Sequence, residues 1–156
     1  MSDHLIFMMG EFEAQFPSDR QYCSNHMWAV EVDEQIRFGF TAYAVRLLQD
    51  VYFLDWLVDA PVAIQHQQEI GSIESKKAES SLYAPLDGQL VTFNDELMDD
   101  PSAINVDKYG NGWLFEVSPG PNASEHLMTA ESYVESLVDV WKKTERTIKG
   151  QVNQAD

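Results

Sequence analysis

Gly71-Ser-Ile-Glu-Ser-Lys-Lys-Ala-Glu-Ser-Ser-Leu-Tyr-Ala-Pro-Leu-Asp-Gly88 is the stretch on which the fold turns. Lys76 and Lys77 lie at its centre, flanked by the small residues Ser75, Ala78, Ser80 and Ser81. Ile70 and Ile73 precede them, and Leu82, Tyr83 and Leu86 follow. Two apolar runs around a short polar segment predict a β-hairpin with the lysines at its tip. Asp87-Gly88 is a second turn signal, because glycine accepts positive φ without steric cost. A lysine at a tight tip carries a compact amine on a flexible four-carbon stem. Acylation of such an amine removes its charge. On spacing alone, two lysines on a turn read as a solvated tip.

Upstream, Trp28, Val30 and Val32 alternate with Ala29 and Glu31, which predicts a strand. Ile36 to Phe40 predicts the next strand. Thr41 is placed to cap a short helix from Ala42 to about Leu48, with Val45 and Leu48 on one face and Leu47 beside them. Asp50 breaks that helix, and Val51 to Trp56 resumes as strand. His26 reads as a structural residue, since no second ligand stands at metal-binding spacing. Cys23 reads as a packed or half-exposed structural thiol; Arg20 is its one basic neighbour in sequence, which is little to activate it.

Downstream, Asn94 to Ser102 is acidic and polar. It lacks the ligand spacing and central glycine of a calcium loop, and reads as a solvated loop. Gly110 and Gly112 mark a turn before a strand from Trp113 to Val117, and Ser118-Pro-Gly-Pro121 reads as a linker. Thr129 is placed to cap a helix from Ala130. Tyr133, Val134, Leu137, Val138 and Trp141 recur at helical spacing along it. Lys142, Lys143, Arg146 and Lys149 crowd its expected end before Gly150, which suits the helix dipole. Asn122-Ala-Ser124 matches a glycosylation pattern, which carries no meaning without a secretory signal.

Three of these stretches, in order, resemble glycine cleavage system H proteins. Glu74-Ser75-Lys76-Lys77-Ala78, then Leu82-Tyr83-Ala84-Pro85 and Gly88, resembles that family's lipoylation hairpin, Glu-Ser-Val-Lys-Ala followed by Tyr-Ser-Pro and a glycine. Gly39-Phe-Thr-Ala-Tyr-Ala44 with Leu48 and Asp50-Val51 resembles Gly-Ile-Thr-x-Tyr-Ala…Leu-Gly-Asp-Val. Tyr109-Gly-Asn-Gly-Trp-Leu114 resembles Tyr-Gly-x-Gly-Trp-Leu. His26 and Trp28 also match an opening His-Glu-Trp-Val, with Met27 in place of the acid.

The resemblance implies a mainly β fold with peripheral helices (α+β), a lipoyl-domain-type barrel-sandwich hybrid of two packed sheets. It would comprise an N-terminal extension (residues 1–21), a carrier domain (22–128), a helix packed on it (129–150) and a tail (151–156). It places lipoic acid in amide linkage on Lys77, with Glu74, Ser75, Lys76 and Ala78 forming the tip. It implies a carrier that itself catalyses nothing. A lipoate-protein ligase or the lipoyl synthesis enzymes would load it. A turn without methionine does not fit a biotin carrier, whose lysine lies between two methionines.

Met27, Lys76, Phe16-Pro17 and the long basic C-terminal helix depart from the ordinary H-protein pattern. They lean toward the similar lipoate-binding proteins of bacterial sulfur oxidation, which work with a heterodisulfide-reductase-like complex. The alternatives are the glycine cleavage carrier itself, working with the glycine cleavage enzymes, H-like proteins that relay lipoyl groups to other enzymes, and an unmodified binding module on the same fold.

Composition bounds these readings. At 156 residues the chain is one domain with a sizeable core, and 44% of it is hydrophobic, too much for general disorder. A net charge of −16 repels nucleic acid and favours basic partner surfaces. No apolar run is long enough to span a bilayer. One cysteine allows no intrachain disulfide, and a cytoplasmic address is expected.

Overall fold

The computed structural model describes the backbone of residues 4–155 and the side chains of residues 4–146. The side chain of Lys149 and those of the tail at 151–156 lie outside what is described. Eleven strands and four α-helices are described. The strands are β1 (His4–Met9), β2 (Phe12–Pro17), β3 (Gln21–Tyr22), β4 (Met27–Val32), β5 (Gln35–Phe40), β6 (Val51–Trp56), β7 (Val62–Ile64), β8 (Glu69–Ser75), β9 (Glu79–Tyr83), β10 (Gly88–Phe93) and β11 (Phe115–Pro119). The helices are α1 (Ala42–Leu48), α2 (Glu96–Asp99), α3 (Ala103–Val106) and α4 (Ala130–Ala155), with a 3₁₀ turn at Ala123–His126.

The strands form the two packed sheets that the resemblance implies, with a separate two-stranded hairpin added. A six-stranded sheet runs β3-β4-β5-β11-β10-β7, a three-stranded sheet runs β6-β8-β9, and β1 and β2 form a separate hairpin. The six- and three-stranded sheets enclose the main core, built on Phe38, Ile70, Ile73, Leu86, Leu90, Phe115 and Val117. A second core lies on the outer face of the large sheet. There Trp28, Tyr22, Phe16 and Ala14 pack against Tyr43, Tyr133 and Leu137.

This second core explains most departures from the sequence reading. Strand β4 has Met27, Trp28 and Ala29 all buried, because Met27 and Ala29 face one core and Trp28 the other. Alternation of buried and exposed residues is a property of a strand with one wet face. The N-terminal extension is a β-hairpin lying on α4 and α1, with Phe16 fully buried at its end. Helix α4 does begin after Thr129, whose hydroxyl accepts the Ser132 N–H at 3.1 Å. Tyr133 and Leu137 are fully buried, but Val138 is 46% exposed and lies off the packed face.

Helix α4 also outruns its expected end. It continues to Ala155 with no basic residue in its last turn. Lys142, Lys143 and Arg146 therefore stand in mid-helix, where the terminal dipole does not act on them. The expected solvated loop at 94–102 holds the one-turn helix α2, pinned by buried Leu97, and leads into α3, pinned by buried Ile104. The expected linker at 118–121 begins as the end of β11. Gly88 does not take positive φ; it is needed because a Cβ there would sit 2.4 Å from the Ser118 carbonyl oxygen across the sheet.

Trp28 ties the large sheet to the second core. Its Nε1 donates to the Lys108 carbonyl at 2.8 Å, and Gly39 on the neighbouring strand leaves room for the ring. A Cβ at Gly39 would meet the indole at 2.5 Å. Gly39→Ala should therefore destabilise the fold by about 1–3 kcal/mol through overpacking, read as a lower urea midpoint at unchanged slope.

Candidate modification site

The hairpin forms where the sequence places it. Strand β8 ends at Ser75 and β9 begins at Glu79, leaving Lys76, Lys77 and Ala78 as the connection, all exposed. Its roots are fixed by burial: Ile70, Ile73 and Leu82 are each at most 4% exposed. Burial of each such side chain is worth about 1.5–3 kcal/mol, enough to hold the ladder in one register.

Ser75 shapes the tip. Its backbone N–H donates to the Ala78 carbonyl at 2.9 Å, closing the turn. Its hydroxyl donates to the same carbonyl at 3.1 Å and accepts the N–H groups of Ala78 (3.2 Å) and Lys77 (3.4 Å). One side chain thus satisfies the orphan backbone groups of a three-residue connection, as serine does in many turns. A further bond ties the tip to the body: the Lys76 N–H donates to the Asp50 carbonyl at 2.8 Å.

All five residues singled out in the sequence are therefore brought together. Lys77 stands at the apex, Ser75 latches the turn, Lys76 anchors it through its backbone, and Ala78 supplies the closing carbonyl. Glu74 pairs directly with Glu79 across the two strands, and both are exposed. Like charges facing each other across a ladder cost stability. Lys77 has no ion-pair partner among the described residues.

Two features beside the tip escaped the sequence reading. Strand β6 carries a bulge between Val51 and Phe53, and it leaves Tyr52 (62%) and Phe53 (52%) both exposed. Phe53 is the register partner of Glu74, so the aromatics flank the lysine hairpin. Bulges re-aim side chains in this way, and a bulge has no local sequence signal here. Beyond β9 a cavity of about 210 Å³ opens, lined by Met27, Phe40, Leu48, Ile73 and Leu82 among others. Met27, at the position of the family's acid, is 1% exposed and makes that wall apolar.

Neither His26 nor Cys23 belongs to a reactive cluster. His26 Nδ1 lies 2.8 Å from the Tyr133 hydroxyl, which lies 3.0 Å from the Thr41 hydroxyl. The ring thereby joins the start of β4 to α4 and to the cap of α1. Burial lowers its pKa to about 4. Cys23 is 2% exposed, and burial pushes its thiol up to about 12, so it is an inert packed thiol. Among the described residues no group of three or more His, Cys, Asp and Glu side chains is arranged to hold a metal ion. No described helix is long and apolar enough to cross a membrane.

His26 predicts a pH dependence. Its folded pKa lies below the ordinary value of 6.5, so the fold favours the neutral ring. That contribution is complete above about pH 6.5 and is lost as pH falls toward 4. His26→Asn should flatten the stability profile over this window by on the order of 2 kcal/mol, measured by urea unfolding at pH 7 and at pH 4.5. Asparagine suits the site because residue 26 has φ of 67°.

Comparison with known proteins agrees with this geometry. A family model described as "Glycine cleavage H-protein" matches residues 20–140. The probable glycine cleavage system H protein of Natronomonas pharaonis is 43% identical over 117 residues, 75% of this chain and 92% of that protein. The glycine cleavage system H protein of Psychrobacter cryohalolentis is 40% identical over 126 residues, 80% and 99% of the two chains. A crystal structure of a glycine cleavage system H protein from Mycobacterium marinum superposes with a TM-score of 0.67 at 35% identity, over 78% of this chain and 98% of that one. These names support the glycine cleavage alternative over the sulfur-oxidation branch suggested by Met27 and Lys76. Proteins of this kind carry lipoate covalently on a lysine. The chain belongs to the glycine cleavage H-protein family.

Proposed function

We propose that this protein is the lipoyl carrier of a glycine cleavage system, with lipoate in amide linkage to Lys77. The observation that carries the reading is an exposed lysine at the apex of a hydrogen-bonded three-residue tip, in register with the family's Glu-Ser-x-Lys-Ala pattern. A lipoate-protein ligase or the lipoyl synthesis enzymes load it. The lysine amine attacks an activated carboxyl group; an amide forms, the activating group and a proton leave, and one positive charge disappears. Bound there, the cofactor supplies reversible disulfide–dithiol exchange.

The protein's own residues present the arm. Ser75 and the buried Ile73 and Leu82 hold its root while the lysine stem remains free to swing. Tethering raises the local concentration of the reactive end at any docked active site. The exposed carboxylates Asp50, Asp55, Glu74 and Glu79 and the overall charge of −16 favour brief, salt-sensitive docking on basic surfaces. Exposed Tyr52 and Phe53 add an apolar contact beside the arm. The partners are the pyridoxal-phosphate decarboxylase, the folate-dependent aminomethyltransferase and the flavin dehydrogenase of the system. A cytoplasmic site of action accords with a single buried cysteine.

Intact-mass measurement after incubation with lipoate, ATP and a lipoate-protein ligase tests the assignment. Wild type and Lys76→Arg should each gain one lipoyl group, and Lys77→Arg none. No gain in wild type, or modification of Lys76, overturns it.

A further inference from the structure

Beyond the β6–β8 ladder, Lys76 is tied to the protein body through one peptide group. The Lys76 N–H donates to the Asp50 carbonyl at 2.8 Å. The amide on the other side of that same peptide, the Val51 N–H, donates to Asn105 Oδ1 at 3.0 Å. Asn105 Nδ2 in turn donates to the Gln49 carbonyl at 2.5 Å. One carboxamide thus grips the chain on both sides of residue 50. The bonds form a continuous line from Asn105 through the 50–51 peptide to the backbone beside Lys77. In such a line each bond polarises the next.

The gripped segment would not hold its shape unaided. Gln49 has φ of 59° and ψ of −139°, a region sparsely populated by side chains with a Cβ. Residues held there persist when their surroundings over-determine them. The Gln49 N–H donates back to the Val45 carbonyl at 2.8 Å, and Asn105 takes the carbonyl side. Asn105 itself is set by α3, whose neighbouring Ile104 is fully buried.

We infer that Asn105 is a positioning residue for the modification site, and that its carboxamide sets where the Lys77 amine is presented to the acylating enzyme. The inference rests on Lys77 being the attachment point. Asn105 touches neither the amine nor the enzyme; it acts through the 50–51 peptide and Lys76. Without it, the hairpin ladder and the Ser75 latch persist, but the peptide that holds Lys76 loosens and the apex is less closely fixed. The enzyme must then select the productive geometry from several. That raises the concentration of protein needed for half-maximal rate, while the rate at saturation is kept.

Two readouts test this on the full chain. In Asn105→Ala, amide hydrogen exchange at Lys76 and Val51 should speed up by about tenfold or more, while amides of β10 and β11 change only with global stability. With a lipoate-protein ligase, lipoate and ATP, the KM for the variant should rise about tenfold with kcat within about twofold. Ile104→Val, a packing change in the same helix turn, serves as the stability control and should leave Lys76 exchange and KM unchanged. Asn105→Asp keeps the acceptor for Val51 and should lie between wild type and the alanine variant; it also serves where the alanine variant fails to fold. Wild-type Lys76 protection and KM in both Asn105 variants overturn the inference, as does an equal change in Ile104→Val. A wild type that accepts no lipoyl group at Lys77 is a different result and overturns the attachment assignment instead.

Discussion

Packing of a three-stranded sheet against a six-stranded one is the constraint that makes the exposed hairpin usable. Strands β6, β8 and β9 carry an apolar face that must be buried against another layer. Here Leu54, Ile70, Ile73 and Leu82 reach into a core shared with Phe38, Leu90, Phe115 and Val117 of the larger sheet. The tip is therefore a short projection from a rigid base. A carrier needs this division: mobility confined to the lysine stem, and a fixed root from which a partner can locate it.

The second core answers a different need. The outer face of β4 carries Trp28 and would otherwise expose it. The N-terminal hairpin and α4 cover it, with Tyr22 and Tyr133 stacked at 4.9 Å and Phe16 set edge-on to both. Hairpin β1–β2 lies outside the stretch that the family model matches, as does the end of α4 beyond residue 140. The hairpin packs on α4, where Phe16 meets Tyr133. His26 joins α4 to the start of β4, the structural part its sequence context suggests.

Much of the site was legible because it is local. Ser75, Lys76, Lys77 and Ala78 act on one another within a few residues, and a turn's hydrogen bonds depend on little else. Thr41 and Thr129 were legible as caps for the same reason. The bulge at Val51–Phe53 was not, because two exposed aromatics in a strand look like core residues until their neighbours are known. Nor was the link from Asn105 to the tip, since its partners lie more than fifty residues away. Val138 misled for a related reason: helical spacing marks an apolar stripe, but only the facing elements decide how wide a stripe is covered.

Residue order was thus sufficient for the strands on either side of the lysines, the tight connection between them and the chemistry of an amine at its apex. All of these follow from propensities and hydrogen bonds within a short span of chain. Folding in three dimensions settled the rest: which faces of β4 meet a core, how far the lysine tip is braced by distant backbone, and what covers the large sheet. Those outcomes depend on contacts between segments far apart in the chain, whose meeting no local pattern records.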